Sequence, residues 1–350
     1  MNEPLLKKLT EAHGVPGQED AIRSIVKAEL DGICTFETDL MGNLICLKNA
    51  TSGKPKKRLM IAAHMDEIGF VVKHIDDRGF LRLQPLGGWD ARQMASQRVI
   101  VHTQKGPING LIGLQTKPKH LLSAEEASKA PQIDQYFVDI GLTGEEAKAA
   151  VRLGDQVTMN RQFQTMGPLC TCKAMDDRVA IYTMIEALKA AKKHDVDVLA
   201  VATVQEEIGL RGAAASGWSI QPDVVVALDI TLANDIPGAA EQDRITQLGE
   251  GTAIKIMDSS LICHPKVVAH FRTLAEKHKI KHQMEILSAG GTDAGGVQRL
   301  HGGIPAFTLS IPCRYVHTVN ETVHRDDVDA SVKLLTKYIE DCHNGNYRYD

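Results

Sequence analysis

The chain has 350 residues, of which 43% are hydrophobic and 24% charged, and its formal net charge is −4. At roughly 150 residues per domain, this length predicts about two domains, with a core large enough to need no disulfide scaffold. The charge balance excludes a sequence-wide basic surface for nucleic acid. Aromatic residues, at 4%, are too scarce for a surface that stacks bases or sugars.

Three features predict a cytoplasmic protein that does not enter a membrane. No stretch reaches the roughly 18 consecutive apolar residues of a membrane helix. Residues 1–10 lack the apolar centre of a signal peptide. The seven cysteines are an odd number and favour reduced thiols, and the C-x-C formed by Cys170 and Cys172 is typical of two semi-buried thiols rather than a zinc or redox motif.

The first half of the chain changes its pattern near residue 70. Before that point, the periodicity predicts a helix over 18–30 and strands over 43–47 and 59–63. From about 70 to 160, short strands at 70–72, 80–83 and 98–102 are separated by turn signals at 77–79, 87–88, 105–107 and 109–110, and one helix is predicted over 144–151. Such closely spaced strands predict a small β-sandwich or barrel.

After about residue 165, helices alternate with buried strands. Helices are predicted over 177–192, 265–278 and 327–342, and nearly continuous apolar strands over 198–204, 224–228 and 306–309. The expected fold is therefore a layered α/β domain, with a central mixed sheet between helices, which carries an inserted barrel-like β domain. The predicted boundaries are 1–70 with 165–350 for the discontinuous domain and 71–164 for the insertion.

Polar side chains with metal-binding groups follow the apolar strands. They are His64, Glu206, Glu207, Asp229 and His317. Ligands of open α/β sheets bind where parallel strands end at their carboxyl termini, so these side chains are expected to share one site. Any one of them alone is better explained as a turn or helix-cap residue, but four strand ends together are not.

The residue types fit a pair of divalent cations. Mixed imidazole and carboxylate ligands suit zinc, cobalt or manganese, whereas calcium needs oxygen ligands. Two neighbouring cations need one carboxylate that bridges them, and Asp176 or Asp177 can supply it. One further carboxylate then remains to act as a general base. The pattern leaves open which member of Asp176–Asp177 bridges and which of Glu206 and Glu207 is the base.

Two local expectations follow from strand geometry. Residues i and i+2 of an extended segment lie on one side, so the Asp66 carboxylate is expected to accept the ring N–H of His64. Neighbours within a regular strand point to opposite faces, so Glu206 and Glu207 reach one site only if the chain turns there, which Gly209 and Gly212 permit.

Six motifs in this order resemble the glutamyl aminopeptidase and tetrahedral aminopeptidase family of dinuclear metallopeptidases, some of whose members bear the historical label endoglucanase. The motifs are AAHMDEIGF (62–70), KAMDDRV (173–179), VQEEIGLRGA (204–213), ALDIT (227–231), AGGTDAG (289–295) and RYVHT (314–318). The resemblance covers essentially the whole chain, including residues 85–90 and 118–122 of the insertion.

The resemblance implies a role for each candidate residue. Asp176 would bridge two metals, Glu206 would be the general base, and Asp66 would support the site as a catalytic residue. The metal ligands would be His64 and Asp229 for one ion, Glu207 and His317 for the other, and Asp176 for both. Gly291, Thr292 and Asp293 would lie near the first side chain of the substrate.

The resemblance also implies an activity and an assembly. A metal-bridging water activated by Glu206 would attack the scissile carbonyl of a peptide and release its N-terminal residue. The cofactors would be two divalent metal ions, with zinc or cobalt expected ahead of manganese. The insertion would mediate dimerisation, and the dimers would form a tetrahedral dodecamer.

Two other functions are compatible with parts of the sequence. One is an endoglucanase-type glycoside hydrolase that uses Glu206 and Glu207 without metal, although its chemistry has no place for the histidines. The other is a non-catalytic metal-binding scaffold. The sequence leaves open the preferred N-terminal residue and the native metal.

Overall fold

A computed structural model describes residues 1–349. Its helices are α1 (Glu3–Glu11), α2 (Asp20–Leu30), α3 (Ala124–Ser128), α4 (Gly144–Ala150), α5 (Met175–Ala190), α6 (Arg211–Ile220), α7 (Pro265–Lys277), α8 (Asp293–Gln298) and α9 (Arg325–Asp341). Its strands are β1 (Thr35–Thr38), β2 (Leu44–Lys48), β3 (Lys57–His64), β4 (Gly69–Ile75), β5 (Leu81–Leu86), β6 (Arg98–Thr103), β7 (Gly106–Leu114), β8 (Tyr136–Asp139), β9 (Gln156–Met159), β10 (Gln164–Met166), β11 (Leu169–Cys172), β12 (Val196–Thr203), β13 (Val224–Leu232), β14 (Thr252–Met257), β15 (His282–Ile286), β16 (Ala306–Arg314) and β17 (Glu321–His324).

A mixed sheet forms the centre of the molecule, as predicted. Its strand order is β1-β2-β12-β3-β13-β16-β17-β11-β10. In addition, β14 pairs with β16 on one side and with β15 on the other. The middle strands β12, β3, β13 and β16 run parallel, whereas β1, β2, β17, β11 and β10 pair antiparallel. The parallel strands are apolar and buried along most of their length because helices cover both faces of this part of the sheet.

The helices form two layers. On one face α5 packs on β3 and β13 and contacts α1 and α9, and α7 packs beside α9. On the other face α8 packs on β3, β13 and β16 and contacts α6. This is the layered arrangement that alternating helices and buried strands predict. Among residues 1–349, no helix is long and apolar enough to cross a membrane.

Six short strands close into a separate barrel, which confirms the predicted barrel-like unit. Their order is β4-β5-β8-β7-β6-β9. The barrel has its own apolar core, around residues such as Phe70, Val99 and Val138, distinct from the core of the main sheet. All six strands lie between residues 69 and 159. The domain boundaries at 70/71 and 164/165 stay a prediction.

Two local predictions were wrong. The turn expected at 109–110 lies inside β7, because Gly110 faces the barrel interior, where a Cβ atom would stand 2.6 Å from Val138 Cγ1. The strand expected to end at residue 228 continues to Leu232, because β13 and β16 remain paired through that residue. Asp229 is therefore inside a strand rather than after it.

The cysteines are all free thiols. Cys170 and Cys172 are both buried in β11, as the interpretation of the C-x-C as structural thiols expects.

Candidate metal centre

The predicted ligands converge at the carboxyl end of the four parallel strands. His64 is the last residue of β3, and Asp229 is in the neighbouring β13. Glu206 and Glu207 follow β12, and His317 lies three residues after β16. Asp176 is at the start of α5, beneath them. These five side chains and Asp176 line one cavity.

The chain turns directly after β12 and brings both glutamates into the cavity. Gln205 has a φ of +57°, in the left-handed region, and the Glu206 carbonyl accepts hydrogen bonds from the N–H groups of Gly209 and Leu210 at 2.8 and 2.9 Å. This meets the condition under which neighbouring glutamates share a site. Glu206 Oε2 lies 4.0 Å from His64 Nε2, and Glu207 Oε2 lies 3.4 Å from His317 Nε2.

Asp66 acts on this turn rather than on the His64 ring. Its carboxylate accepts the backbone N–H groups of Glu206 and Glu207, both at 3.1 Å. His64 Nδ1 instead lies 3.0 Å from the Asp66 backbone oxygen and 3.7 Å from the nearest carboxylate oxygen. The expected hydrogen bond from the ring to the carboxylate was therefore wrong, because the turn after β12 already engages that carboxylate. Asp66 still fixes the orientation of the ring through its carbonyl.

Asp176 lies between two groups of metal-competent side chains. One group is His64, Asp176, Asp177 and Asp229, and the other is Asp176, Glu207 and His317. In each group the ligand atoms lie within 4.8 Å of one another. Asp176 Oδ1 lies 3.1 Å from His64 Nε2, and Oδ2 lies 3.5 Å from His317 Nε2. Its two oxygens therefore face the two histidines, one each.

Two further buried carboxylates hold the backbone of these ligands. Asp177 Oδ2 accepts the N–H of His64 at 3.2 Å. Glu321 accepts the N–H of Asp176 at 2.9 Å and that of His317 at 2.8 Å, one with each oxygen. The sequence analysis missed Glu321. The signal that could have found it is a carboxylate four residues after His317, at the start of a short strand.

The pKa values show how crowded the carboxylates are. Burial, reinforced by the charges of Asp229 and Glu207, raises the pKa of Glu206 well above its ordinary value, although His64 opposes this. Burial likewise raises the pKa of Asp229, with Asp176 as the next contribution in that direction. At Asp176 burial acts in the same sense, but hydrogen bonds from His317 and His64 outweigh it and hold its pKa below the usual range.

Both histidines are shifted toward their charged form. Burial alone lowers the pKa of His64, but the surrounding carboxylates, Glu206 first, raise it well above 6.5. At His317 burial is again opposed, by Asp176 and Glu207, and the pKa rises to about 12. Each shift reports that the site holds more negative charge than its two imidazoles balance.

The donor set fits divalent cations. It combines imidazole nitrogens with carboxylate oxygens, which suits zinc, cobalt and manganese. Asp177 Oδ1 and Glu207 Oε1 are buried and have no hydrogen-bond partner within residues 1–349. Unpaired buried oxygens are costly unless a cation or a donor meets them, and the excess negative charge requires the same compensation.

The predicted substrate segment is split between the cavity wall and the interior. Gly291 and Thr292 line the cavity. Asp293 is buried at the start of α8, where its carboxylate accepts a hydrogen bond from the Thr203 hydroxyl at 2.5 Å. Burial raises the pKa of Asp293 to about 6, against the opposing influence of His64.

The barrel also contributes to this site. Gly87 has a φ of +85°, and a Cβ atom there would stand 2.4 Å from Ile68 Cγ2 and 3.2 Å from Glu207 Oε2. Gly88 lines the cavity, at a place where a Cβ atom would stand 3.2 Å from His317 Nδ1. Val319, two residues after His317, is part of the barrel core. The backbone of residues 87–88 can approach the ligands only because both residues lack side chains.

Comparison with known proteins decides the family. The sequence profile described as M42 glutamyl aminopeptidase matches residues 42–334. The chain belongs to the M42 peptidase family. A second profile, described as AMPT, matches residues 2–25. Membership in M42 confirms the predicted class of enzyme, an aminopeptidase, which is a peptide hydrolase.

Similar M42-type proteins cover nearly the whole chain. A solved aminopeptidase of the archaeon Desulfurococcus kamchatkensis is 41% identical with a TM-score of 0.91, covering 96% of this chain and 94% of its own. The lysyl aminopeptidase of Pyrococcus furiosus is 33% identical over 347 residues, 96% of each protein. The TET1 peptidase of Pyrococcus horikoshii, which can assemble into a tetrahedron or a large octahedral shell, is 31% identical with a TM-score of 0.86, covering 96% and 98%.

Proposed function

We propose that this chain is a dinuclear metal-dependent aminopeptidase that removes N-terminal residues from peptides. The observation that carries the proposal is the position of Asp176, whose two carboxylate oxygens face two separate groups of ligands. A carboxylate in that position suits a bridge between two cations. Glu206 lies beside it, 4.0 Å from His64 Nε2, and hydrogen bonds from its backbone N–H to Asp66 fix its place.

The proposed ligands divide between two ions. His64, Asp176 and Asp229 would hold one ion, and Asp176, Glu207 and His317 the other. Two divalent cations, zinc or cobalt first and manganese third, would supply an acidified water and polarise the scissile carbonyl. Glu206 takes a proton from the attacking water and passes it to the leaving amine.

Two substitutions separate these roles. Glu206→Gln is expected to lower kcat by about 10²–10⁴-fold with metal content unchanged, because it removes only the proton carrier. Asp176→Asn is expected to lower the metal content itself. Activity on aminoacyl-p-nitroanilides and metal content by mass spectrometry are measured on the same preparations. Wild-type turnover of Glu206→Gln would overturn the mechanism.

Chelation distinguishes the proposal from a glycoside hydrolase. The enzyme should lose aminopeptidase activity in a chelator and regain it with added metal. Cellulase activity that persists in the chelator would instead support a metal-free mechanism on Glu206 and Glu207. Absence of both activities, with metal bound, would support a non-catalytic scaffold.

The barrel is proposed as a dimerisation domain within a larger homo-oligomer in the cytoplasm. The similarity to the Pyrococcus horikoshii TET1 peptidase supports a shell assembled from dimers, with a tetrahedral dodecamer as the expected form. The seven free cysteines support a reducing compartment. Sedimentation of the purified chain tests the assembly, and a monomer at micromolar concentration would contradict it.

A further inference from the structure

The cavity of the candidate metal centre has a second, apolar wall. The volume of the cavity is about 480 Å³, and the large apolar side chains that line it are Leu210, Ile230, Leu232, Leu287 and Val316. Leu210 follows the turn that carries the glutamates, Ile230 follows Asp229, and Val316 precedes His317. Because an aminopeptidase must hold the side chain next to the scissile bond, this wall is positioned to receive the side chain of the N-terminal residue. The inference therefore rests on the proposed function.

Lys255 is the one lysine or arginine among the described residues that line the cavity, and it is already paired. Lys255 and Glu285 face each other in the register of β14 and β15, and Lys255 Nζ lies 2.6 Å from Glu285 Oε1. The Thr231 hydroxyl donates to the same carboxylate oxygen at 2.6 Å. Lys255 Nζ makes this ion pair without a hydrogen bond of good geometry to any residue that the structure describes. Both side chains of the pair have no solvent-exposed surface.

A second carboxylate also lies close to the Lys255 ammonium. Asp258 Oδ2 lies 3.6 Å from Lys255 Nζ and accepts a hydrogen bond from the Thr292 hydroxyl at 3.2 Å. The same hydroxyl lies 2.9 Å from that of Thr308. The hydroxyls of Thr231 and Thr292 are therefore satisfied within the protein, and Lys255 already faces two carboxylates.

We propose that this wall selects peptides whose N-terminal residue is uncharged and aliphatic, such as leucine or methionine. An acidic side chain would find Lys255 already neutralised by Glu285 and Asp258. A basic side chain would meet the ammonium of Lys255, whereas Glu285 and Asp258 are fully buried and are not among the described residues that line the cavity. Burying a charge without a partner costs far more than burying an aliphatic group, which gains free energy from the apolar wall.

The test is a substrate panel on the metal-reconstituted full-length enzyme. Leucine and methionine p-nitroanilides should exceed the glutamate and lysine substrates in kcat/KM by about 10²-fold or more, because an apolar pocket already rejects a substrate with one added hydroxyl by about 10²-fold. A glutamate preference would show that Lys255 receives the substrate carboxylate, and a lysine preference would show that Glu285 or Asp258 is reached. Either result would overturn the inference.

A binding measurement keeps this test separate from the proposed activity. If no substrate is cleaved, the aminopeptidase proposal fails, and calorimetry with L-leucinamide, L-lysinamide and the α-amide of L-glutamate still tests the wall. Tighter binding of leucinamide supports the inference. Equal or tighter binding of a charged amide overturns it.

Leu232 provides the matched variants. It ends β13 with 37% of its surface exposed and is outside the ion pair and the ligands, so a charge there should not prevent folding. Leu232→Asp should raise the lysine-to-leucine ratio of kcat/KM about tenfold, and Leu232→Lys should raise the glutamate-to-leucine ratio similarly. The control is Leu153→Asp, at an exposed leucine that does not line this cavity, which should leave both ratios unchanged. Unchanged ratios in the Leu232 variants would exclude this wall as the substrate side-chain site.

Discussion

The backbone N–H of Asp176 donates a hydrogen bond to Glu321 Oε2 at 2.9 Å. The other oxygen of Glu321 accepts the N–H of His317, a residue whose φ of +59° is in the left-handed region. One buried carboxylate thus fixes the backbone of the proposed bridging ligand and of a second ligand whose conformation a side chain disfavours. Glu321 is therefore a positioning residue of the site.

Glu321→Ala should weaken metal binding by about ten- to hundredfold, the usual effect of removing a group that orients a metal ligand. Each backbone hydrogen bond that the substitution removes contributes about 0.5–1.5 kcal/mol, so a lower midpoint of thermal unfolding is also expected. Metal affinity is measured by competition with a chromophoric chelator. Glu125→Ala, at an exposed glutamate of α3, is the control. Wild-type affinity in folded Glu321→Ala would refute the positioning role.

Asp66→Asn should lower kcat more than it lowers metal content. An amide in place of the carboxylate presents an N–H to one of the two backbone N–H groups at Glu206 and Glu207, which displaces the turn that carries the general base. A loss of about 10- to 100-fold in kcat is expected, with a smaller change in KM. Steady-state kinetics beside metal analysis measure both. The control is Asp134→Asn, at an exposed site on the barrel, which should behave as wild type. Wild-type kinetics of Asp66→Asn would contradict a role for Asp66 in holding the turn.

Removing a ligand should have opposite effects on stability without and with metal. In the metal-free chain, burial and neighbouring carboxylates raise the pKa of Asp229, so its charged form destabilises the fold at pH values above the ordinary pKa of 3.8. Metal-free Asp229→Asn should therefore unfold at a higher temperature than metal-free wild type at pH 8.

With metal present the order should reverse, since binding stabilises the wild type by about 2.7 kcal/mol at one hundred times the dissociation constant. Thermal unfolding with chelator and with cobalt or zinc measures both states. The same order of midpoints in the two conditions would contradict a role for Asp229 as a ligand.

Stability should fall in acid partly because of His13. Its Nδ1 lies 2.8 Å from the Thr158 hydroxyl, which also contacts His102. Burial, then the charges of Lys173, His102 and Arg178, lower its pKa from 6.5 to about 3. The unfolded chain binds a proton below pH 6.5 and the folded chain does not, so this contribution to stability is complete above 6.5 and is lost as the pH falls toward 3.

Urea unfolding of wild type and His13→Gln at pH 7.5 and pH 5 measures this dependence. The difference in the free energy of unfolding between the two proteins should shrink at pH 5. His120→Gln, at an exposed histidine of the barrel, should match wild type at both pH values. A difference that is independent of pH would exclude the proposed titration of His13.

The sequence could predict the part of the site that depends on the lengths of apolar runs. His64, Glu206 and Glu207 come where such runs end, and parallel strands bring those ends together. The lengths of apolar runs could not predict which atoms of each residue make the contacts in the site. The Asp66 carboxylate and the Asp66 carbonyl are equally available in an extended segment, and only the folded turn after β12 decides between them.

Contacts between residues distant in sequence also could not be predicted from the sequence. Lys255 and Glu285 are 30 positions apart and meet because β14 and β15 pair in one particular register. Glu321 acts through two backbone N–H groups that come from different elements. The turn signal at 109–110 misled for a related reason, since Gly110 is required by packing against Val138 on another strand rather than by local backbone conformation.

The contribution of residues 87–88 and 319 has a consequence for how this architecture can evolve. The barrel supplies backbone that lies against Glu207 and His317, and its core holds Val319, which anchors the loop that carries His317. A lineage that lost the barrel would lose one wall of the metal centre with it, so the insertion cannot be discarded as an accessory module. The two units must therefore be inherited together for the site to keep this wall.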